Sequence, residues 1–155
     1  MKYSLRPATA EDFEFIFQLN KTNMRKYVEV LRGWNDEAER AEKHRYFRPG
    51  HDQIIVIDGK DAGILVVDRS PTNLHLTHIE LLPDYQGHGT GTVIIGDLLE
   101  EARQAQVAAT LMVLTLNPAR RLYERLGFRV VGEVDTGPTG VKYSMTTAAQ
   151  GQAAA

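Results

Sequence analysis

The sequence predicts a mixed α/β fold: a central, mostly antiparallel sheet of six to seven strands with one parallel pair, flanked by about four helices. Three observations carry this. Residues 53–82 read as three strands joined by turns, an antiparallel meander. An apolar helix, running to Gln104, separates the strand over 74–82 from a β-rich run over 110–116. That order requires a right-handed crossover and parallel pairing. Two last strands, 128–134 and 141–145, flank the Gly- and Pro-containing stretch Asp135–Gly140.

Taken in order, Tyr3–Arg6 is a short strand stopped by Pro7. Thr9 is a helix N-cap, with Glu11 and Asp12 placed favourably in the first turn. Phe13, Ile16, Phe17, Asn20, Met24, Tyr27, Val28 and Leu31 then recur at helical spacing, and Gly33 ends the stripe. Asn35 caps a second helix over 36–46 whose only small apolar residues are Ala38 and Ala41. So thin a helix docks weakly at the surface. The flanking Trp34, Tyr46 and Phe47 either anchor it or form a mobile wall over a substrate site, and the two readings are compatible. Asp58-Gly59 joins the strands 53–57 and 62–67 as a hairpin. Asn117 and Pro118 open a helix that Gly127 closes, with Ala119, Leu122, Tyr123 and Leu126 on one face. Residues 1–146 read as a single domain and 147–155, all Thr, Ala, Gln and Gly, as a disordered tail.

The 155 residues suffice for a full hydrophobic core. No apolar run approaches the roughly 18 residues of a membrane span, and the N-terminus lacks the apolar core of a signal peptide. No membrane partner is expected. There is no cysteine, which removes disulfides, Cys-based zinc sites and a thiol nucleophile, and fits a cytoplasmic protein. A net charge of −2 gives no general affinity for nucleic acid. His75 and His78 point to opposite faces of a strand, so they do not make a metal site.

The chain is organised around Ile79–Gly91. A strand end carrying Glu80, Leu81 and Leu82 leads through Pro83 into Gln86-Gly87-His88-Gly89-Thr90-Gly91 and then a helix. Three glycines in five residues bring main-chain N–H groups close to a ligand, and the helix adds its own N–H groups and positive dipole end. This suits a phosphate or pyrophosphate, while a flexible strand-to-helix turn explains the same glycines. Between His51 and Thr110 only Lys60, Arg69 and Arg103 are basic, against nine acidic residues, so backbone amides would have to do most of the anion binding.

Gln86–Gly91 resembles the acetyl-CoA pyrophosphate loop of the GNAT N-acetyltransferase superfamily, (Arg/Gln)-x-x-Gly-x-(Gly/Ala). Asn117-Pro118-Ala119 through Leu122-Tyr123-Glu124-Arg125-Leu126-Gly127-Phe128 resembles the superfamily's second signature, Asn-x-x-Ala-x-x-x-Tyr-x-x-x-Gly-Phe, with variable spacing. The order of elements over 1–146 is similar to the GNAT fold, and residues 1–50 match in layout alone. His88 stands where Lys or Arg is common, and Thr90 where a large apolar residue is commoner.

The resemblance implies transfer of an acetyl group from acetyl-CoA, as cosubstrate and without a metal, to a primary amine on a small molecule or a peptide. It places the pyrophosphate on Gln86, Gly87, His88, Gly89, Thr90 and Gly91. It places the pantetheine arm along free backbone groups at Leu81 and Leu82, where the parallel strands splay, and against Asn117. It makes Tyr123 the proton donor to the departing thiolate, although a core-edge tyrosine fits the same stripe. Glu80 is the candidate base, directly or through water, with His78 on the same face; a structural ion pair is the other reading of both. Tyr27, Trp34 and His78 are candidate substrate contacts. The oligomeric state is not legible in the sequence; the family often forms dimers, so the resemblance allows a homodimer. A non-catalytic CoA-binding module and a nucleotide-phosphate binder are the alternative functions. The missing Lys after the glycines disfavours the latter.

Overall fold

The computed structural model describes residues 2–148. Its strands are β1 (Tyr3–Pro7), β2 (Gln53–Ile57), β3 (Lys60–Ser70), β4 (Asn73–Leu81), β5 (Ala108–Leu114), β6 (Arg129–Asp135) and β7 (Val141–Thr146). Its helices are α1 (Phe13–Arg32), α2 (Asp36–Tyr46), α3 (Thr90–Ala105) and α4 (Arg120–Arg125). The seven strands follow the order β1-β2-β3-β4-β5-β7-β6, and β4 with β5 is the parallel pair. The mixed sheet and its flanking helices are those the sequence predicts. The chain divides into two compact units. Among the described residues, one contains 2–66 together with His78–Thr90, and the other contains Val67–Thr77 and 91–148. Strands β3 and β4 each contribute to both.

In the first unit, Arg6 pairs with Asp12 at 2.8 Å and Asp61 at 2.9 Å, tying β1 to the start of α1 and to β3. Thr9 and Asp12 form a capping box around a single 3-10 turn, and α1 then runs unbroken to Gly33, whose φ of 76° ends it. Asn20 is buried among the apolar residues of α1. Asp58 and Gly59 both take positive φ, the two-residue hairpin turn their sequence demands. Ile54, Ile64 and Val66 form the sheet side of a core with Ile16 and Leu19 of α1, closed by Phe15, Phe47, Val56 and Leu82.

Helix α2 docks differently from the sequence reading. Ala38 and Ala41 are exposed, whereas Glu39 is buried and bound by Arg32 at 2.7 Å. His44 stacks on Phe13 with centroids 3.6 Å apart, and the Arg40 guanidinium lies 4.2 Å from the Phe17 ring while pairing with Glu14. A helix without an apolar stripe is thus held by ion pairs, by a guanidinium on one aromatic face and by an imidazole stacked on another. Asn35 caps it, its Oδ1 accepting the Ala38 N–H at 2.9 Å.

In the second unit, β4 pairs with β5 from Asn73↔Ala108 to Leu76↔Leu111, and the pairing ends there although β4 continues to Leu81. β5 starts at Ala108, two residues before the expected start, and Thr115 and Leu116 have left it for a turn. β7 lies between β5 and β6, antiparallel to both. Ile94, Ile95, Leu98 and Ala102 make the buried stripe of α3. Of the expected tail, Thr147 still bonds Ala109 through both its N–H (2.9 Å) and its Oγ1 (3.0 Å). Residues 149–155 lie outside the described residues.

Candidate active site

The end of β4 concentrates the polar groups of the first unit. Strand alternation turns His78 and Glu80 to one face, and the His78 Nε2 meets Glu80 Oε2. The same oxygen accepts the Asn20 side-chain amide at 3.1 Å. The Glu80 side chain is 7% exposed and that of His78 is 35% exposed. Glu80 Oε1 is buried and has no hydrogen-bond partner among the described residues. Burial pushes the Glu80 carboxyl up, but the His78 charge, the hydrogen bonds from His78 and Asn20, and the charge of Lys43 together outweigh it. The carboxyl is held below its ordinary range, so Glu80 is a carboxylate at neutral pH.

One residue on, the Leu81 carbonyl accepts two side-chain amides, Asn23 Nδ2 at 2.8 Å and Gln86 Nε2 at 2.8 Å. Gln86 also donates to Asn23 Oδ1 at 3.1 Å, closing a triangle between α1, the strand end and the Gly-rich loop. The Leu82 N–H donates to the Ala62 carbonyl at 2.8 Å. The expectation of free backbone groups along Leu81 and Leu82 is therefore corrected. The Leu82 N–H and the Leu81 carbonyl are already bonded, because the meander continues to Leu82 and two amides reach the strand end. Alternation directs the Leu81 N–H away from β3, the same way as its carbonyl.

Pro83–Tyr85 makes a single turn, and the loop follows. Gly87 (φ 77°) and Gly89 (φ 81°) hold left-handed conformations that favour glycine, and Gln86, Gly87, His88 and Gly89 are exposed. Thr90 opens α3 but its side chain points inward. It is buried, and its Oγ1 has no hydrogen-bond partner among the described residues. Only the main chain of Thr90 is then offered to a ligand, together with the N–H groups at the start of α3. Gly91 lies in the first turn of α3.

Of the candidate substrate contacts, Trp34 is packed on Phe17 at 6.2 Å and its indole N–H donates to Asp36 at 2.5 Å, the anchoring role of the two considered. Tyr27 is half-buried, with the Lys26 ammonium 5.1 Å from its ring centre. In the second unit Tyr123 is buried on α4, its ring edge-on to Phe128 at 6.0 Å. Asn117 Oδ1 accepts the Ala119 N–H at 2.9 Å and caps the turn before α4, which begins later than expected, at Arg120. Asn20 and Asn23 are the site residues that sequence reasoning missed. Their signal was an amide in the middle of an apolar helical stripe and a second one three residues on.

A family model described as an acetyltransferase (GNAT) domain matches residues 21–146. The chain belongs to the GNAT acetyltransferase family. The match takes in α1 from Lys21, the strand end with Glu80, the Gly-rich loop and α4. No curated protein sequence matches this GNAT chain. Solved structures share its fold at low identity. The PaiA N-acetyltransferase of Thermoplasma acidophilum, in complex with coenzyme A, is 15% identical with a TM-score of 0.69, covering 96% of this chain and 99% of that one. Arabidopsis thaliana Naa50, in complex with the bisubstrate analogue CoA-Ac-MVNAL, is 14% identical with a TM-score of 0.65, covering 96% and 99%. Ard1 of Thermoplasma volcanium is 17% identical with a TM-score of 0.65, covering 94% and 97%.

Proposed function

We propose that this GNAT domain is an N-acetyltransferase that moves an acetyl group from acetyl-CoA to a primary amine, by direct attack within a ternary complex. The observation that carries the reading is the exposed Gln86–Gly89 loop, with Gly87 and Gly89 at positive φ, running into the N-terminus of α3. Its bare main chain fits a pyrophosphate, and the loop carries no lysine or arginine, so N–H groups supply the binding. Hydrogen bonds to a charged group contribute roughly 1.5–3 kcal/mol each, so three or four would dominate affinity. The PaiA and Naa50 structures, with coenzyme A and a CoA-peptide analogue respectively, support CoA as the ligand class and an amine as the acceptor.

Acetyl-CoA supplies an activated thioester, and the residues of this chain handle position and protons. The Leu81 N–H is the main-chain donor for the thioester oxygen, where negative charge builds during attack. Tyr123 is the hydroxyl that protonates the departing thiolate. Asn117 is the polar contact for the pantetheine arm, using the amide nitrogen that its capping bond leaves to it. The Glu80–His78 pair receives the proton that the acceptor amine must lose. With no cysteine in the chain, no thiol carries the acetyl group between donor and acceptor.

The test is release of the CoA thiol from acetyl-CoA in the presence of amino acids, polyamines, aminoglycosides and peptides. Acetyl-CoA-dependent release with one of these classes is expected, and Tyr123→Phe should lower kcat by about 100-fold. Full activity of Tyr123→Phe removes that residue from the mechanism. Stabilisation by acetyl-CoA without turnover on any acceptor would make the domain a CoA-binding module instead.

A further inference from the structure

Glu80 is the residue the sequence offers as the base, but its surroundings are those of a support. Both carboxylate oxygens are withdrawn from solvent: Oε2 lies between Asn20 and His78, and Oε1 is buried without a partner among the described residues. His78 is the member of the pair that solvent, and therefore a substrate, can reach, with about a third of its side chain exposed. Its Nε2 faces the carboxylate, which fixes the ring proton on that nitrogen and leaves Nδ1 as the lone-pair site.

We propose that His78 takes the proton from the acceptor amine at Nδ1, and that Glu80, held by Asn20, is a positioning residue that fixes the tautomer and balances the imidazolium. The inference rests on the acetyltransferase reading and assigns one of its roles. An ammonium sheds two protons on becoming an amide. The first passes to His78 Nδ1 and frees the nitrogen lone pair, which forms the C–N bond as the C–S bond breaks. The second ends on the departing sulfur, and His78 returns the first to solvent. Its Oε2 is already engaged by Asn20 and His78, which makes the carboxylate a poor acceptor for the substrate's proton and a good counter-charge for the imidazolium. The charged groups acting on this pair come from two elements: Glu80 and His78 themselves on β4, and Lys43 on α2, which favours the ionised carboxylate.

The experiment uses the full chain and whichever amine of the panel is acetylated. His78→Gln is expected to lose about 100-fold or more in kcat while acetyl-CoA still raises its melting temperature. Glu80→Gln keeps a hydrogen-bonding side chain but removes the counter-charge. Its acid limb in log(kcat/KM) against pH should move to lower pH, a change that a purely structural carboxylate would not produce. Added imidazole should partly restore His78→Ala. Activity of His78→Gln within about two-fold of wild type, far below what a general base supplies, overturns the assignment, as does an unmoved limb in Glu80→Gln. If His78→Gln loses its cooperative melt, the limb of Glu80→Gln decides alone. Failure of the wild type on the whole panel overturns the acetyltransferase reading and this assignment with it. Turnover by the wild type with His78→Gln within about two-fold of it overturns the assignment only.

Discussion

Gly63 of β3 lies so close to Glu80 of β4 that a methyl group on Gly63 would fall 2.1 Å from the Glu80 carbonyl oxygen. The same methyl would also stand 3.0 Å from a methyl of Leu81. The register of β2 on β3 shifts beside it, leaving Ala62 as the extra residue. The backbone that carries the candidate site is thus seated on a position where no side chain fits.

Gly63→Ala is therefore expected to force β3 and β4 apart, because the obstacle is main chain and cannot rotate away. The loss should be about 1–3 kcal/mol, as for other overpacked sites, read as a lower midpoint in urea. Acetyl transfer should fall further than the unfolded fraction explains, since Glu80 moves with the strand. An unchanged midpoint would contradict the close approach.

The Gly-rich loop gives a second expectation. Gly89 has φ 81°, and an alanine forced there costs about 1–2 kcal/mol. Gly89→Ala should raise KM for acetyl-CoA more than it lowers kcat, and should shrink the thermal shift that acetyl-CoA produces. Gly96, within α3, is the contrast: a methyl there meets nothing within 4 Å. Gly96→Ala should stabilise the protein by about 0.5–1 kcal/mol through helix propensity alone. Equal responses of the two variants in KM would remove the loop's special role.

Helix α2 gives a third. Arg32→Ala leaves the Glu39 carboxylate buried without the guanidinium that binds it at 2.7 Å. A charged group stranded in this way costs about 1–3 kcal/mol or more. Amide exchange over Asp36–Tyr46 should accelerate while β2 keeps its protection. Uniform acceleration across the chain would show that α2 is not a separately fastened element.

Acid stability supplies a fourth. Hydrogen bonds from Arg6, the largest cause, hold the Asp12 carboxyl at about 2 against an ordinary 3.8. A depressed carboxyl binds fewer protons folded than unfolded. Its stabilisation is complete above the ordinary value and disappears as pH falls from there through about 2. Arg6→Ala removes that linkage, so the acid-unfolding midpoint should move to higher pH. A midpoint unmoved by Arg6→Ala would mean that other carboxylates govern acid unfolding.

Much of this could be read from the chain because the signals are local. Thr9 and Asn35 mark helix starts, Gly33 a helix end, and Asp58-Gly59 a hairpin, each through backbone preference within a few residues. Gln86–Gly89 was legible as a loop for the same reason, whereas Thr90 and Gly91, expected in the loop, already belong to α3. Strand ends were read less well. β3 runs on to Ser70 because its polar end finds partners far along the chain: Asp68 receives Thr77, and Arg69 pairs with Glu101. The contact of Asn20 with Glu80 spans 60 residues and has no local signature. Ala38 and Ala41 misled because the docking face of α2 is Glu39, Arg40 and Lys43, which composition alone assigns to solvent.

That face of α2 has a thermodynamic consequence. Releasing the helix uncovers charged groups and parts of two phenylalanine rings. A release dominated by charged groups should have a small heat-capacity increment, so its free energy should vary nearly linearly with temperature rather than along a curve. Ionic strength acts on it directly, because its ion pairs are partly exposed and screen within a Debye length. The first unit thus joins an apolar sheet whose stability curves with temperature to a helix whose attachment responds to salt.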